Sequence, residues 1–466
     1  MTLTATNPFL ADNFAPVNAE ITSDKLKIIG EIPPNLSGMF VRNGPNPQYT
    51  PIGRYHWFDG DGMLHGVQIK NSEASYCNRY IKTQGFITEN EAGKALWAGL
   101  LEPFHKNPST GSKNTANTAL IYHAGRFLAL WEGGFPHAIS LPNLDTIGDY
   151  NFNGKLASSF TAHPKVDPVT GEMMFFGYSF SPPYLTYGVV SSQGDLLKSV
   201  PFDLPQPVMM HDFAITENYT IFMDLPLTFS LERIQKGEPL LMFESNRVSR
   251  FGIVPRHGDN TQIRWFESSP CFIFHTLNAY EDGDEIILMA CRISSIDVLN
   301  GDNNSSETPG ELAYLYRWRF NLKTGEVSEE KLADQPSDFP RINEQFLGRK
   351  SRYGYSSKFV KTAMPLFDGL IKHDFQNGNA KIHNFGEHRF GGEAVFVPSP
   401  DSKSEDDGWL MTFVYDTQTD VSELVIVSAK DFEAEPIARV ILPQRVPYGF
   451  HGIWVSEEQL KTAYSD

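Results

Sequence analysis

Four of the thirteen histidines in the chain occur in closely similar surroundings, a pattern that is typical of metal ligands. They are His163 in TAHPK, His211 in MMHDF, His275 in IFHTL and His451 in GFHGIW. A short polar turn and then an apolar strand follow each of the first three. A single buried histidine more often makes an ordinary hydrogen bond in a core, but four in matching positions favour a shared metal site. Imidazole nitrogen suits zinc, copper, iron and nickel, so the residue type alone does not choose the metal.

The segments that carry these histidines are typical of hairpins. Short runs rich in Val, Ile, Phe and Tyr recur along almost the entire chain, separated by a few Gly, Asp, Asn, Pro or Ser residues. Helical periodicity is confined to two places, where it predicts helices near 87–106 and 225–237. The fold is therefore predicted to be all-β.

The spacing of the hairpins favours a β-propeller. They recur at intervals of roughly 40–60 residues, and no strongly polar linker divides them, which is typical of propeller blades rather than separate sandwiches. Equivalent positions in different blades point toward one central axis, so the four histidines are expected to converge there. The last of them comes from the end of the chain, where a propeller closes its ring. The prediction is one propeller domain over residues 1–466.

Composition excludes several classes of protein. The formal net charge of −17 argues against a surface that neutralises phosphate, so nucleic acid is not expected as a partner. Three cysteines exclude a disulfide framework and fit a reducing compartment. The start of the chain does not read as a secretory signal, and no run approaches the roughly 18 apolar residues of a spanning helix. A cytoplasmic protein, attached to membranes at most peripherally, is expected.

Eight segments spread over nearly the whole chain form a highly specific combination of motifs. They are GMFVRNGPNP (38–47), HWFDGDGMLHG (56–66), LALWEGG (128–134), TAHPKVDPVTGEM (161–173), MMHDFAIT (209–216), DFPRIN (338–343), GGEAVFVP (391–398) and GFHGIWV (449–455). Together they resemble the carotenoid cleavage oxygenase family. The resemblance implies a seven-bladed β-propeller with a helical and loop dome over an iron centre.

The resemblance also implies the metal and its surroundings. One non-haem ferrous iron, Fe²⁺, is expected per chain, held by the four histidines named above. Three acidic residues match those that the family places behind three of its histidines, and they are Glu132, Asp338 and Glu393. Such carboxylates accept the far N–H of a ligating ring and fix its orientation. Many relatives have Glu where Asp338 stands, so a bridging water or a shifted strand is expected there, and Asp338→Glu is expected to be tolerated.

The activity implied by the resemblance is insertion of both atoms of O₂ across a conjugated carbon–carbon double bond, giving two carbonyl products. Neither an organic cofactor nor an obligate protein partner is expected. Stilbene-cleaving relatives generally carry Lys before the glutamate that Glu132 matches, whereas Trp131 stands here, which favours a carotenoid or apocarotenoid. Thr118, Trp131 and Phe274 are candidate residues of the substrate and O₂ pocket. Two alternatives stay open: a stilbene-cleaving dioxygenase, and a propeller binding module whose metal is structural.

A lipophilic polyene must reach the site from a bilayer, so an exposed apolar face is expected for peripheral membrane contact. Two segments are the candidates, and the matching regions of relatives surround a tunnel mouth. The candidate residues are Leu96, Trp97, Leu100 and Leu101 in the first segment and Leu225, Leu227, Phe229, Leu240 and Phe243 in the second. The alternative is that both segments only pack the dome onto the propeller.

Overall fold

The computed structural model describes residues 7–100, 102, 112–236, 238–296, 311–362 and 364–463. Short antiparallel strands dominate it. In chain order they are β1 Thr22–Ser23, β2 Lys27–Gly30, β3 Gly38–Pro45, β4 Gly62–Lys70, β5 Glu73–Tyr80, β6 Ala119–His123, β7 Arg126–Leu130, β8 His137–Ile139, β9 Thr146–Asp149, β10 Lys165–Val166, β11 Met173–Tyr178, β12 Leu185–Val190, β13 Leu196–Phe202, β14 Ala214–Ile215, β15 Tyr219–Asp224, β16 Leu227–Phe229, β17 Leu241–Phe243, β18 Ser249–Pro255, β19 Arg264–Ser268, β20 Phe272–Asp282, β21 Glu285–Ile293, β22 Tyr314–Asn321, β23 Val327–Lys331, β24 Ser337–Arg341, β25 Tyr353–Phe359, β26 Phe367–Asp374, β27 Asn379–Asn384, β28 Arg389–Phe390, β29 Val395–Pro398, β30 Gly408–Asp416, β31 Val421–Ser428, β32 Ala438–Ile441 and β33 Gly452–Ser456.

All of these strands except β16 and β17, which form a separate two-stranded sheet, make up the seven blades of a β-propeller, which confirms the predicted fold class. Blade 1 holds β1, β5, β4, β3 and β33; blade 2 holds β6–β9; blade 3 holds β10–β13; blade 4 holds β14, β15, β18 and β19. Blade 5 holds β20–β23, blade 6 holds β24–β27, and blade 7 holds β28–β32 with β2. Both ends of the chain close the ring, because β33 pairs with β3 and β2 pairs with β32.

Apolar side chains fill the space between adjacent blades. Between blades 4 and 5, for example, Ile221 and Phe251 share one buried cluster with Leu288 and Trp318. Strands inside the stack of blades are buried on both faces, whereas the outermost strand β13 alternates between half-buried and exposed residues. Packing of each blade on its neighbours therefore fixes the direction of the strands that reach the axis.

Helices are few and short in the described residues. The α-helices are α1 Gln84–Ala92, α2 Leu231–Gln235 and α3 Glu457–Thr462, and the 3₁₀ helices are Pro8–Leu10, Asp12–Phe14, Trp57–Asp59 and Glu344–Phe346. None of the described helices is both long and apolar enough to cross a bilayer. The three cysteines are all buried and free.

Both helix predictions were wrong in extent. The first helix ends at Gly93, whose φ of +66° stops the turn, and the amides of Leu96 and Trp97 then bond to the side chain of Glu89 instead of a helical carbonyl. Residues 101 and 103–106 of that prediction lie outside the described residues. In the second segment, the buried apolar residues Leu227–Phe229 form the strand β16, which pairs with β17, and only Leu231–Gln235 form the short helix α2.

Candidate metal centre

The four histidines come from four different blades and converge at the axis. His163 and His211 lie just before β10 and β14, His275 lies within β20, and His451 directly precedes β33. Each of these strands is the innermost of its blade. One ring nitrogen from each histidine lies within 4.8 Å of the other three, and Nε2 of His163 is 3.0 Å from Nε2 of His211. The structure thus brings together the residues that the sequence singled out.

The arrangement of the rings fits a metal ion. Rings in contact meet edge to face, with centroids 4.6–5.3 Å apart and interplanar angles of 61–89°, so these rings do not stack flat on one another. Nε2 of His275 is buried and makes no hydrogen bond within the described part of the chain. Leaving a buried polar nitrogen unpaired is unfavourable, and a metal ion at the centre would satisfy it. A set of four imidazoles suits first-row transition metals rather than Mg²⁺ or Ca²⁺.

Three carboxylates lie behind three of the histidines, at the positions named by the sequence. Each accepts a hydrogen bond from the Nδ1 of one ring. The pairs are Glu132 with His211 at 2.7 Å, Asp338 with His275 at 2.8 Å, and Glu393 with His451 at 2.9 Å. With the proton on Nδ1, the Nε2 of each ring is a free ligand atom. The acids come from blades 2, 6 and 7, so each of the seven blades contributes one of these seven side chains.

Asp338 reaches His275 directly, which corrects the expectation of a bridging water. The pairing of β24 with β25 shifts register between Asp338 and Arg341, and Phe339 has a φ of +50°. This irregular strand is the shifted strand that the sequence offered as the other possibility. The ring of Phe339 stacks on His275 with centroids 5.0 Å apart, so the imidazole is held at both its edge and its face.

The direct contact leads to a prediction for Asp338→Glu that differs from the tolerance implied by the family resemblance. Asp338 is 6% exposed and its Oδ1 already lies 2.8 Å from Nδ1 of His275, so an added methylene pushes the carboxylate against the ring or displaces β24. Overpacking of this kind typically costs about 1–3 kcal/mol. We therefore expect Asp338→Glu to lower both the thermal midpoint of unfolding and the affinity for the metal. Calorimetry and metal titration measure the two, and wild-type values for both would contradict the prediction.

His163 differs from the other three because no described carboxylate contacts its ring. Its backbone N–H is held by Oγ1 of Thr161 at 3.0 Å. Burial, together with the neighbouring histidines, holds the pKa of His163 well below its usual value. Burial also lowers the pKa of His451 to about 4 despite the opposing charge of Glu393. Both rings are therefore neutral near pH 7, as metal ligands must be.

Two partners of the carboxylates were missed by sequence reasoning. Tyr178 donates its hydroxyl proton to Oε1 of Glu132 at 2.7 Å, and Arg341 lies 3.5 Å from Oε1 of Glu393. Arg341 belongs to the DFPRIN motif, and Tyr178 ends the apolar run MMFFGY. The sequence could have indicated either residue only as a polar side chain in a segment that forms a strand. Each of them gives its acid a further polar partner besides the histidine ring.

A mostly apolar cavity of about 240 Å³ opens onto the histidines. Thr118, Trp131 and Phe274, the three candidate pocket residues, all lie in its wall beside His211, His275 and His451. Phe274 meets the His211 ring edge to face at 5.3 Å. The hydroxyl of Thr118 donates to Oδ1 of Asn117 at 3.0 Å, so its proton is already engaged.

A second, larger cavity of about 1060 Å³ adjoins the first. The two share wall residues, namely Phe58, Trp131, Glu132 and Met209. The larger cavity extends toward exposed apolar side chains such as Leu100 and Phe180. The two cavities therefore lie next to each other beside the histidine cluster.

The residues predicted to form an exposed apolar face are only partly exposed. Leu225, Leu227 and Phe229 were predicted wrongly, since they are buried in the core that joins blades 4 and 5. Leu96, Trp97, Leu240 and Phe243 are half-buried, Leu100 is exposed, and Leu101 lies outside the described residues. The exposed residues of the second region are instead Leu231 and Met242, at 55% and 38%.

The fold and the cluster define a propeller protein with a four-histidine centre on its axis. Residues 14–456 match the family model described as retinal pigment epithelial membrane protein. The carotenoid 9,10(9′,10′)-cleavage dioxygenase 1 of Pisum sativum is 45% identical over 97% of this chain and 91% of its own length. Two solved structures are also similar. The lignostilbene dioxygenase of Pseudomonas brassicacearum has a TM-score of 0.90 and 31% sequence identity, and the match covers 96% of this chain and 98% of that chain. A variant of the Synechocystis apocarotenoid oxygenase has a TM-score of 0.87 and 30% identity, and the match covers 95% of this chain and 97% of that chain.

The chain therefore belongs to this family, that of the carotenoid cleavage oxygenases, as its motifs predicted. It is a dioxygenase enzyme of the carotenoid-cleaving kind.

Proposed function

We propose that the chain binds one Fe²⁺ through His163, His211, His275 and His451 and uses O₂ to cleave a conjugated double bond of a carotenoid or apocarotenoid into two carbonyl products. The observation that carries this proposal is the convergence of four imidazoles from four blades, three of which lie in the wall of a mostly apolar cavity. Nε2 of His275, which is buried and has no hydrogen-bond partner among the described residues, supports the presence of an ion.

Bound iron supplies the site that activates dioxygen next to the double bond. The protein provides position and surroundings. Glu132, Asp338 and Glu393 hold three rings with their Nε2 atoms toward the centre. Apolar and aromatic residues such as Trp131 and Phe274 line the cavity, exclude water and hold a flat polyene by contact with its faces. No side chain needs to act as a nucleophile.

The names of the relatives suggest which bond is cleaved. The Pisum sativum protein is named for cleavage at the 9,10 and 9′,10′ positions. We propose the same positions for this chain. Mass spectrometry of the products from a panel of carotenoids and apocarotenals, run under ¹⁸O₂, tests both the position and the source of the oxygen. Products from another position, or products without the label, would contradict the corresponding part of the proposal.

Stilbene cleavage is the second candidate, favoured by the likeness to the lignostilbene dioxygenase. The residue before Glu132 argues against it, because Trp131 offers no ammonium group to a phenol. Adding resveratrol to the substrate panel separates the two. Turnover of resveratrol that exceeds turnover of every polyene would favour the stilbene candidate.

A structural metal in a binding module is the alternative outside enzymes of this kind. A closed structural site has no open coordination position, whereas a catalytic site keeps one. Nitric oxide added without oxygen to the ferrous protein is expected to give an iron–nitrosyl signal in electron paramagnetic resonance. A bound iron that gives no such signal would favour a structural metal.

Peripheral membrane contact is also part of the proposal, with Leu231 and Met242 as the docking residues. Both are exposed, and they belong to the segment whose Phe229, Leu240 and Leu241 line the larger cavity. An exposed apolar group of this kind favours an interfacial anchor.

We expect Leu231→Glu with Met242→Glu to reduce liposome binding at least several-fold, because two charges would enter the apolar part of the interface. Cleavage of detergent-dispersed substrate should persist. The matched control is Ile147→Glu with Leu197→Glu, at exposed positions on the outermost strands of blades 2 and 3. Sedimentation with liposomes measures the effect, and equal binding by both double variants would contradict this docking surface.

A further inference from the structure

Three polar side chains that follow the histidines form a buried chain of contacts across three blades. Lys165 lies two residues after His163, Asp212 directly follows His211, and Thr276 directly follows His275. The ammonium of Lys165 lies 2.8 Å from Oδ1 of Asp212. The other oxygen, Oδ2, accepts the backbone N–H of Thr276 at 2.7 Å and its hydroxyl at 2.8 Å.

The contacts of Asp212 with Lys165 and Thr276 are important because the innermost strands of neighbouring blades belong to separate sheets. In the described residues β10, β14 and β20 pair only within their own blades, so no backbone ladder sets the distance between them. Core packing holds the blades together, but a metal site needs its ligands within about 0.5 Å of their working positions. An ion pair or a hydrogen bond between the strands, which fixes both distance and direction, meets this requirement.

We propose that Asp212 is a positioning residue that sets the spacing of His163, His211 and His275 by joining their three strands. The inference rests on the metal site proposed above. Asp212 is suited to the task because its two oxygens serve two different blades and its side chain is almost completely buried. Lys165 balances the carboxylate charge, so Asp212 does not have to be neutralised by the metal itself.

On the opposite side of the propeller, hydrogen bonds join the strand of His451 to its two neighbouring blades. Oε2 of Glu393 accepts the backbone N–H of Gly452 at 2.8 Å, which links blade 7 to the strand of His451. The backbone N–H of His451 donates to the carbonyl of Thr118 at 3.2 Å, which links that strand to blade 2. On the side of His163, His211 and His275, the corresponding link is made by Asp212.

The test is Asp212→Asn, which keeps the shape of the side chain. The amide group must present its NH₂ either to Lys165 or to the N–H of Thr276, so one of the two links becomes a contact between donors. We expect the dissociation constant for Fe²⁺ to rise about 10- to 100-fold, the range typical of groups that orient ligands. We also expect a changed rhombicity of the ferrous–nitrosyl spectrum and a lower kcat with an unchanged KM.

Asp224→Asn is the matched control. Asp224 is another fully buried aspartate of blade 4, and it is paired with Arg247 and Arg250 away from the axis. This variant should lose stability but keep the iron affinity and the spectrum. Thr276→Val should shift the spectrum in the same direction as Asp212→Asn, and Thr276→Ser should restore it, which covers the case in which Asp212→Asn does not fold.

A readout without iron separates this inference from the proposed function. In crystal structures of the metal-free proteins, the distance between the His211 and His275 rings should change in the Asp212 or Thr276→Val variant and not in the Asp224 variant. Absence of iron from the parent protein would overturn the metal site alone. Unchanged ring spacing, affinity and spectrum in the Asp212 variant, or equal changes in the control, would overturn the positioning role.

Discussion

Replacement of any one of the four histidines by alanine is expected to abolish turnover. In His275→Ala, the buried Nε2 that has no partner among the described residues is removed, and with it one quarter of the ligand set. We expect iron content to fall below a tenth of the parent value, and activity to fall by more than the roughly 100-fold that loss of an outer carboxylate costs. Metal analysis of the purified protein and product assays measure the two.

The control for these variants is His373→Ala. His373 is a buried histidine of β26 whose Nε2 contacts the hydroxyl of Ser356 at 3.0 Å, so its loss also leaves a cavity and an unpaired group in blade 6. It should lower the thermal midpoint and leave iron content unchanged. Circular dichroism should show a folded β protein for all five variants. Near-normal iron and activity in any one of the four ligand variants would remove that histidine from the site.

The second largest effect is expected for Glu393→Gln, with metal affinity reduced about 10- to 100-fold. Both oxygens of Glu393 accept N–H groups, one from the backbone of Gly452 and one from the His451 ring, whose Nδ1 keeps its proton when Nε2 binds a metal. An amide placed there must oppose one of them with its own NH₂. Although burial alone would raise it, the Arg341 guanidinium and the hydrogen bonds from His451 and Gly452 bring the pKa of Glu393 down to about 2, so the wild-type group is ionised near pH 7.

Glu132→Gln should have a smaller effect than Glu393→Gln. The second partner of Glu132 is the hydroxyl of Tyr178, which can turn and accept from the new amide. Glu423→Gln serves as the control, since Glu423 is a buried carboxylate paired with Arg389 far from the histidines. Iron titration of the three proteins provides the comparison. Equal affinities in the Glu393 and Glu423 variants would show that Glu393 does not orient His451.

The sequence was sufficient for the fold class and for the identity of the central residues. Repeated hairpins follow from local patterns of β-branched and aromatic residues with turn residues between them, so the strands and the propeller were predicted from short-range signals. Histidines and acids in specific motifs, such as TAHPK and GGEAVFVP, were recognisable because each motif lies within one blade. The helix over 87–106 was wrong because apolar periodicity does not show where Gly93 ends a helix or that Glu89 captures the next amides.

Relations between blades were decided only by the tertiary structure. The pairing of each acid with its histidine, the direct reach of Asp338, and the link from Lys165 through Asp212 to Thr276 all join residues from separate sheets. Burial of Leu225, Leu227 and Phe229 depends in the same way on the packing of blade 4 against blade 5. The sequence by itself thus determined which side chains each blade carries, because local patterning governs a blade. Which side chains meet depends on how the seven blades pack around the axis, and that geometry is set by contacts between residues distant in the chain.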